Sequence, residues 1–239
     1  MATALAVKST WSGMSDDFDK SWLSVGPAVQ QTVELGRAAA VARSLDYTEA
    51  VLAETGQVAP ATGALNPSRF LASAPNGQPI ADVLGGAVTQ AKVAVKSGLP
   101  IREALGQAER WLTGVTLTAL ADTARSVVGA DIAQRTAIAG YVRMLNAPSC
   151  SRCIILAGKF FRWNEGFLRH PRCDCKHIPA QNADWARAEG FISDPYEAFK
   201  SLTKEQQEKV FGRIEARAIR DGADTVSYTH LTLPTTPYV

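Results

Sequence analysis

Four cysteines and two of the three histidines of this 239-residue chain fall between Tyr141 and Pro179. Their spacing is Cys150-x2-Cys153, sixteen residues to His170, then His170-x2-Cys173-x-Cys175-x-His177. Zinc favours four thiolate or imidazole ligands in a tetrahedron, and an x2 spacing lets one turn present two of them to a single ion. Such an ion can supply about 10–16 kcal/mol of apparent binding energy, enough to close a loop of roughly twenty residues that lacks its own core. Cys150, Cys153, His170, Cys173 and Cys175 are the candidate metal ligands, and zinc the candidate cofactor, in a structural role. Ile154-Ile155-Leu156 stands where a zinc knuckle usually has glycine. Bound zinc, buried reduced thiols and disulfides therefore all stay open. His177, two residues before Pro179, is expected to be a hydrogen-bonded loop residue rather than a ligand.

The same stretch is basic. Arg143, Arg152, Lys159, Arg162, Arg169, Arg172 and Lys176 face only Glu165 and Asp174, a local +5 in a chain whose formal net charge is +2. A near-neutral whole carries no global field for nucleic acid, so segment 143–176 is the only part that points to DNA as a partner. Phe160, Phe161, Trp163 and Phe167 are interleaved with these cations and could stack on bases. The preferred alternative makes them a small core with a solvated basic rim. No catalytic residue stands out. With His230 set aside for reasons given below, only His170 and His177 could act as histidine bases, both lie inside the cysteine cluster, and no Gly-x-Ser-x-Gly is present.

The elements that must position this cluster are mostly helical. Residues 1–24 read as a mobile arm with room for a short helix over 16–23. From Pro27, taken as a first-turn residue, Val29, Val33, Val41, Leu45, Val51 and Leu52 form one apolar stripe as far as Thr55. Gly36 or the Asp46-Tyr47-Thr48 step could divide it. Residues 56–79 hold four prolines and read as an extended connection. Two helices follow, one over 80–97 and one from Pro100 that reaches Val128 if the Thr113-Gly114 and Thr116-Leu117-Thr118 steps do not break it, with Gly98 as the stop between them. Residues 136–145 fit a helix end or a strand. After Pro179 come short helices, including one capped by Thr203 and Gln206 that runs to Asp221-Gly222. Tyr196, Phe199, Phe211 and Ile214 are expected to pack together. The fold class is mainly α: a helical N-terminal scaffold, a small Cys/His-rich α+β loop domain and a C-terminal helical hairpin. In numbers, 25–135 is scaffold, 136–182 the Cys/His-rich segment and 183–225 the C-terminal helices.

With 46% hydrophobic residues the chain can bury a core. It contains no run of 18 apolar residues and no evident signal peptide, so no membrane partner is expected. Cysteines confined to a 26-residue span do not resemble the staples of a secreted fold, which suggests synthesis in a reducing cytoplasm.

Cys150-Ser151-Arg152-Cys153, Leu156-Ala157-Gly158, Gly166-Phe167 and above all His170-Pro171-Arg172-Cys173-Asp174-Cys175 resemble the C-terminal domain of MuF-like head-morphogenesis (minor capsid) proteins of tailed phages. The likeness covers some forty residues closely and the following helices loosely. Asp174 stands where the common version has arginine. The resemblance implies a virion protein inside the head, made in the host cytoplasm, associated with portal and capsid proteins, and acting in procapsid assembly and DNA packaging or ejection. A non-catalytic role is favoured over an enzyme. A capsid maturation protease and a zinc-stabilised nucleic-acid module are the alternatives. Residues 226–239 resemble a translated sequencing-adapter tail, so His230 is left out of every site and the native chain is expected to continue past Thr225.

Overall fold

A computed structural model describes residues 2–145, 149–156, 158–165, 175–192 and 194–224. The protein is mainly helical with one small antiparallel sheet. Its described residues group into two compact units, one of 2–50 and 61–134, the other of 51–60 and residues from 135 onward. No helix among them is long and apolar enough to cross a membrane.

The first unit begins with helix α1 (Ala2–Trp11), where the sequence suggests a mobile arm. The arm is ordered because its apolar side chains have a place to go: Val7 and Trp11 are buried, and the Trp11 indole donates to the Leu105 carbonyl at 3.2 Å. Helix α2 (Phe18–Ser44) starts nine residues before Pro27. Asp17 caps it, accepting from the Lys20 N–H at 3.1 Å, and Phe18 enters the core at once. Pro27 is thus inside the helix and not in its first turn. Proline removes one i→i−4 bond, but Leu23, whose carbonyl would have accepted it, is exposed. The division expected near Asp46 does occur, and α3 (Tyr47–Glu54) follows.

After a 3₁₀ turn (Pro67–Phe70), helices α4 (Ile80–Lys96) and α5 (Ile101–Ala133) complete this unit. At 1.5 Å per residue α5 is about 50 Å long. It runs unbroken through its threonine steps; Thr118 turns its hydroxyl back to the Gly114 carbonyl at 2.8 Å. Val25, Val29 and Val33 of α2, Leu84, Ala87 and Ala91 of α4, and Ala108 and Leu112 of α5 form the core. The Arg37 guanidinium is buried with them. Its Nε donates to Thr123 Oγ1 at 3.0 Å and its Nη2 to the carbonyls of Phe70 and Ser73, fastening the 3₁₀ segment to α2 and α5. Burial lowers its pKa from the ordinary arginine value, partly offset by Glu34.

The second unit carries strands β1 (Gly140–Met144), β2 (Phe160–Arg162) and β3 (Lys176–Ala180), with α6 (Ser151–Leu156) between β1 and β2 and α7 (Ala183–Ala188) after β3. The sheet order is β2-β1-β3, all antiparallel. Residues 51–60, which the pattern assigns to the scaffold, belong here. The reason is Gln57: its amide donates to the Pro179 carbonyl at 2.9 Å and accepts from the Gln181 N–H at 3.1 Å, covering the open edge of β3. Helices α8 (Pro195–Lys200), α9 (Lys204–Phe211) and α10 (Arg213–Arg220) close the described chain. The Thr203–Gln206 capping box is present. The expected single helix breaks at Gly212, whose φ of +94° suits glycine. That break turns Ile214 outward, so it leaves the packing face where Phe199, Phe211, Ala216 and Ile219 meet.

Two sets of substitutions test this packing by thermal or urea unfolding. A Cβ at Gly86 would lie 2.6 Å from the Trp111 ring, whereas one at Gly129 meets nothing within 4 Å. Gly129→Ala should stabilise by up to about 1 kcal/mol through helix propensity, and Gly86→Ala should destabilise by about 1–3 kcal/mol through overpacking. Gln57→Glu keeps the acceptor but sets a carboxylate against the Pro179 carbonyl, and should cost at least about 1–3 kcal/mol.

Candidate functional site

Strand β1 is the centre of the cysteine-bearing unit. Gly140 lies opposite Arg162 and Ala180, Tyr141 opposite Phe161 and Pro179, and Val142 opposite Phe160 and Ile178. At Gly140 the strands approach so closely that a Cβ would collide with the Phe161 carbonyl. Side chains alternate across a sheet, and here the two faces differ in chemistry. Val142, Phe160 and Ala180 pack with Trp185, Ala186, Phe191 and Ile192 in an apolar layer. Tyr141 and Arg143 take the other face.

That second face is polar and nevertheless closed to solvent. Arg143 is 1% exposed, Tyr141 6% and His177 6%. The Tyr141 ring stacks on His177 with centroids 4.0 Å apart and on Phe161 at 5.7 Å, while its hydroxyl donates to the Glu165 carbonyl at 3.1 Å. Arg143, directly opposite His177 in the register, donates from Nη2 to Cys153 Sγ at 3.2 Å. A guanidinium keeps its proton under ordinary conditions, so this contact sets a positive charge beside that sulfur. The arrangement can fix strands and hold a sulfur in a cationic setting.

Among the candidate ligands, Cys153 and Cys175 are buried and Cys150 is exposed. Cys150 immediately precedes α6, its carbonyl accepting from the Ile154 N–H at 3.0 Å. His170 and Cys173 lie outside the described residues, as do Phe167, Arg169, Arg172 and the segment from 225 onward. No disulfide joins the described cysteines. Among the described residues no three His, Cys, Asp or Glu side chains gather as a metal would require. A zinc site of the expected spacing would therefore draw on His170 or Cys173. His177 is a strand residue and not a loop residue. Pro179 does not prevent this, because β3 is an edge strand and an edge position tolerates a missing N–H.

Among the described basic residues of this stretch, not all lie on a solvated rim. Arg143 is sealed inside, Lys159 is half-buried, and Arg162 and Lys176 are exposed. Phe160 and Phe161 pack into the sheet, whereas Trp163 is 55% exposed. Sequence reasoning missed Arg143 as a partner of Cys153 and Tyr141 as a partner of His177. Their i, i+2 spacing was the available signal, but it needs a strand and a register to become a shared face. Two surface grooves are formed by helical residues instead, one by Trp22, Leu23, Pro27 and Ala81, the other by Glu34, Leu35, Arg37 and Leu71. The chain matches no family model, curated protein or solved structure.

Tyr141 gives a graded test of the layer. Tyr141→Phe removes the hydroxyl with its bond to Glu165 and should cost about 1 kcal/mol. Tyr141→Leu also removes both ring stacks and should cost about 2–4 kcal/mol. Equal losses in urea unfolding would show that the stacks contribute nothing.

Proposed function

We propose that this chain is a MuF-like minor capsid protein, acting in procapsid assembly and in DNA packaging or ejection, and that its sheet domain is a docking part rather than a reaction centre. Support for the phage role comes from the His170-Pro171-Arg172-Cys173-Asp174-Cys175 motif and its surroundings. The observation behind the non-catalytic part is that Arg143, His177, Cys153 and Cys175 are all at most 6% exposed. A protease must bring its nucleophile and base to a peptide bond, and these groups face the interior. They suit a knot that holds α6, β1 and β3 together. A structural zinc would serve the same end by binding sulfur. Portal and capsid proteins are the proposed partners, and Arg162, Lys176 and Trp163 the surface on which packaged DNA would touch this unit.

The proposal is tested by co-expression with the portal and major capsid proteins of a tailed phage whose genome carries this gene. The chain should co-sediment with procapsids and be retained by portal; particles that assemble without incorporating it would refute the assignment. Capsid-protein processing should be unchanged by Cys173→Ala and by His170→Ala. Loss of processing in a variant that still assembles would make the protein a protease.

A further inference from the structure

We infer that the groove between α2 and the 3₁₀ segment binds a free apolar α-amino acid, its carboxylate taken by Arg37, its ammonium by Glu34, and its side chain laid on Leu35, Ala38 and Leu71. The inference does not depend on the head-morphogenesis role.

Three observations carry it. Arg37 is 1% exposed, and its Nε and Nη2 are spent on Thr123, Phe70 and Ser73, all neutral acceptors. Its Nη1 is buried with no hydrogen-bond partner, and no ion pair of the described residues includes Arg37. A buried cation with a spare donor and no counter-charge favours an anion, and a carboxylate meets a guanidinium with charge-assisted bonds. Secondly, Arg37 is more than a core residue. With Gln31, Glu34, Leu35, Ala38 and Leu71 it lines a groove of about 400 Å³. Small-molecule sites span roughly 300–1,000 Å³, so this one suits a small ligand. Thirdly, the same groove holds an acid. Glu34 is exposed, and its Oε1 accepts from the Gln30 amide at 2.8 Å, which leaves Oε2 for a cation. Burial lowers the Arg37 pKa and Glu34 partly offsets this, so the two charges act on each other although they form no ion pair.

The two charges decide the ligand class. A simple anion such as phosphate would satisfy Arg37 and be repelled by Glu34, and a simple amine would meet the reverse. An α-amino acid carries both charges on one carbon. Glu34 and Arg37 stand three apart on α2, and such positions are neighbours on a helix surface, so one small molecule can bridge them. With the guanidinium almost wholly covered, the compact carboxylate is the end that enters. The rest of the groove is apolar: Leu35 is 66% exposed, and Ala38 and Leu71 are half-buried. An apolar side chain laid there removes that surface from water. The carboxy-terminal residue of a peptide offers the same carboxylate but only an uncharged amide to Glu34, and is the poorer match.

The test is equilibrium dialysis of the full chain against labelled L-leucine, L-valine and L-phenylalanine. At least one should bind saturably, one molecule per chain. Its methyl ester lacks the carboxylate charge and its N-acetyl derivative lacks the ammonium; each should bind about tenfold more weakly or worse, the loss expected for one charge-assisted hydrogen bond. Glu34→Gln removes the acid and Leu35→Arg obstructs the apolar wall. Both should weaken binding by a similar factor without moving the unfolding midpoint, because both side chains are exposed. Arg37→Met should abolish binding, but it also cuts the bonds to Thr123, Phe70 and Ser73, so if it fails to fold the two surface variants decide. The inference is overturned if none of the three amino acids binds saturably, or if Glu34→Gln and Leu35→Arg bind as the unaltered chain does. Equal or tighter binding of the N-acetyl derivative would also overturn it, and would give the groove to a peptide terminus instead.

Discussion

A guanidinium buried at the middle strand sets the terms for the whole cysteine-bearing unit. Taking such a charge out of water costs several kcal/mol unless its surroundings compensate. Arg143 is 1% exposed and lies opposite His177, with Cys153 Sγ at 3.2 Å. The face it occupies cannot be apolar, and so the tyrosine, histidine and cysteine side chains collect there while Val142, Phe160 and Ala180 fill the reverse side. Gly140 makes this possible by letting β1 and β2 approach until no side chain would fit between them. A small sheet with two unlike faces follows from one charge and one missing Cβ.

The same sheet has an edge to protect, because an unpaired strand offers its N–H and C=O groups to any other chain. On β3 the device is a side chain. Gln57 supplies one donor and one acceptor to the backbone at Pro179 and Gln181, much as a neighbouring strand would. The Arg135 guanidinium adds a bond to the Ala59 carbonyl at 2.6 Å, tying the same short segment to the start of this unit. This accounts for residues 51–60 belonging to a unit whose other residues begin more than seventy positions later.

The sequence disclosed elements whose signals are local. The α4 and α5 stripes, the Gly98 stop and the Thr203–Gln206 box each rest on neighbouring residues, and each is present. Signals that depend on distant partners were unreadable. Residues 2–11 look like a mobile arm until Trp11 finds the Leu105 carbonyl. Pro27 resembles a helix start because nothing nearby shows that Asp17 caps earlier. Arg143 reads as one more cation of a basic rim, since only the pairing of β1 with β2 and β3 turns it inward. His177 reads as loop because a proline follows two residues later, and only the strand order shows that β3 is an edge where proline is permitted.

Each unit contains buried arginines, and the surroundings of the two most deeply buried, Arg37 and Arg143, give them different consequences. Arg37 donates to a threonine hydroxyl and to two main-chain carbonyls. None of these partners changes its chemical state, so that cross-link persists under any condition in which the helices stay packed. Arg143 donates to a cysteine sulfur, which can be a thiol, a thiolate, a metal ligand or half of a disulfide. The strength of its contact must vary with that state, being greatest when the sulfur carries charge and weakest when the charge is lost to a covalent bond. The helical unit is therefore fastened by a fixed interaction. The sheet unit has, beside its fixed Arg135 and Gln57 bonds, a contact whose strength follows the state of a sulfur.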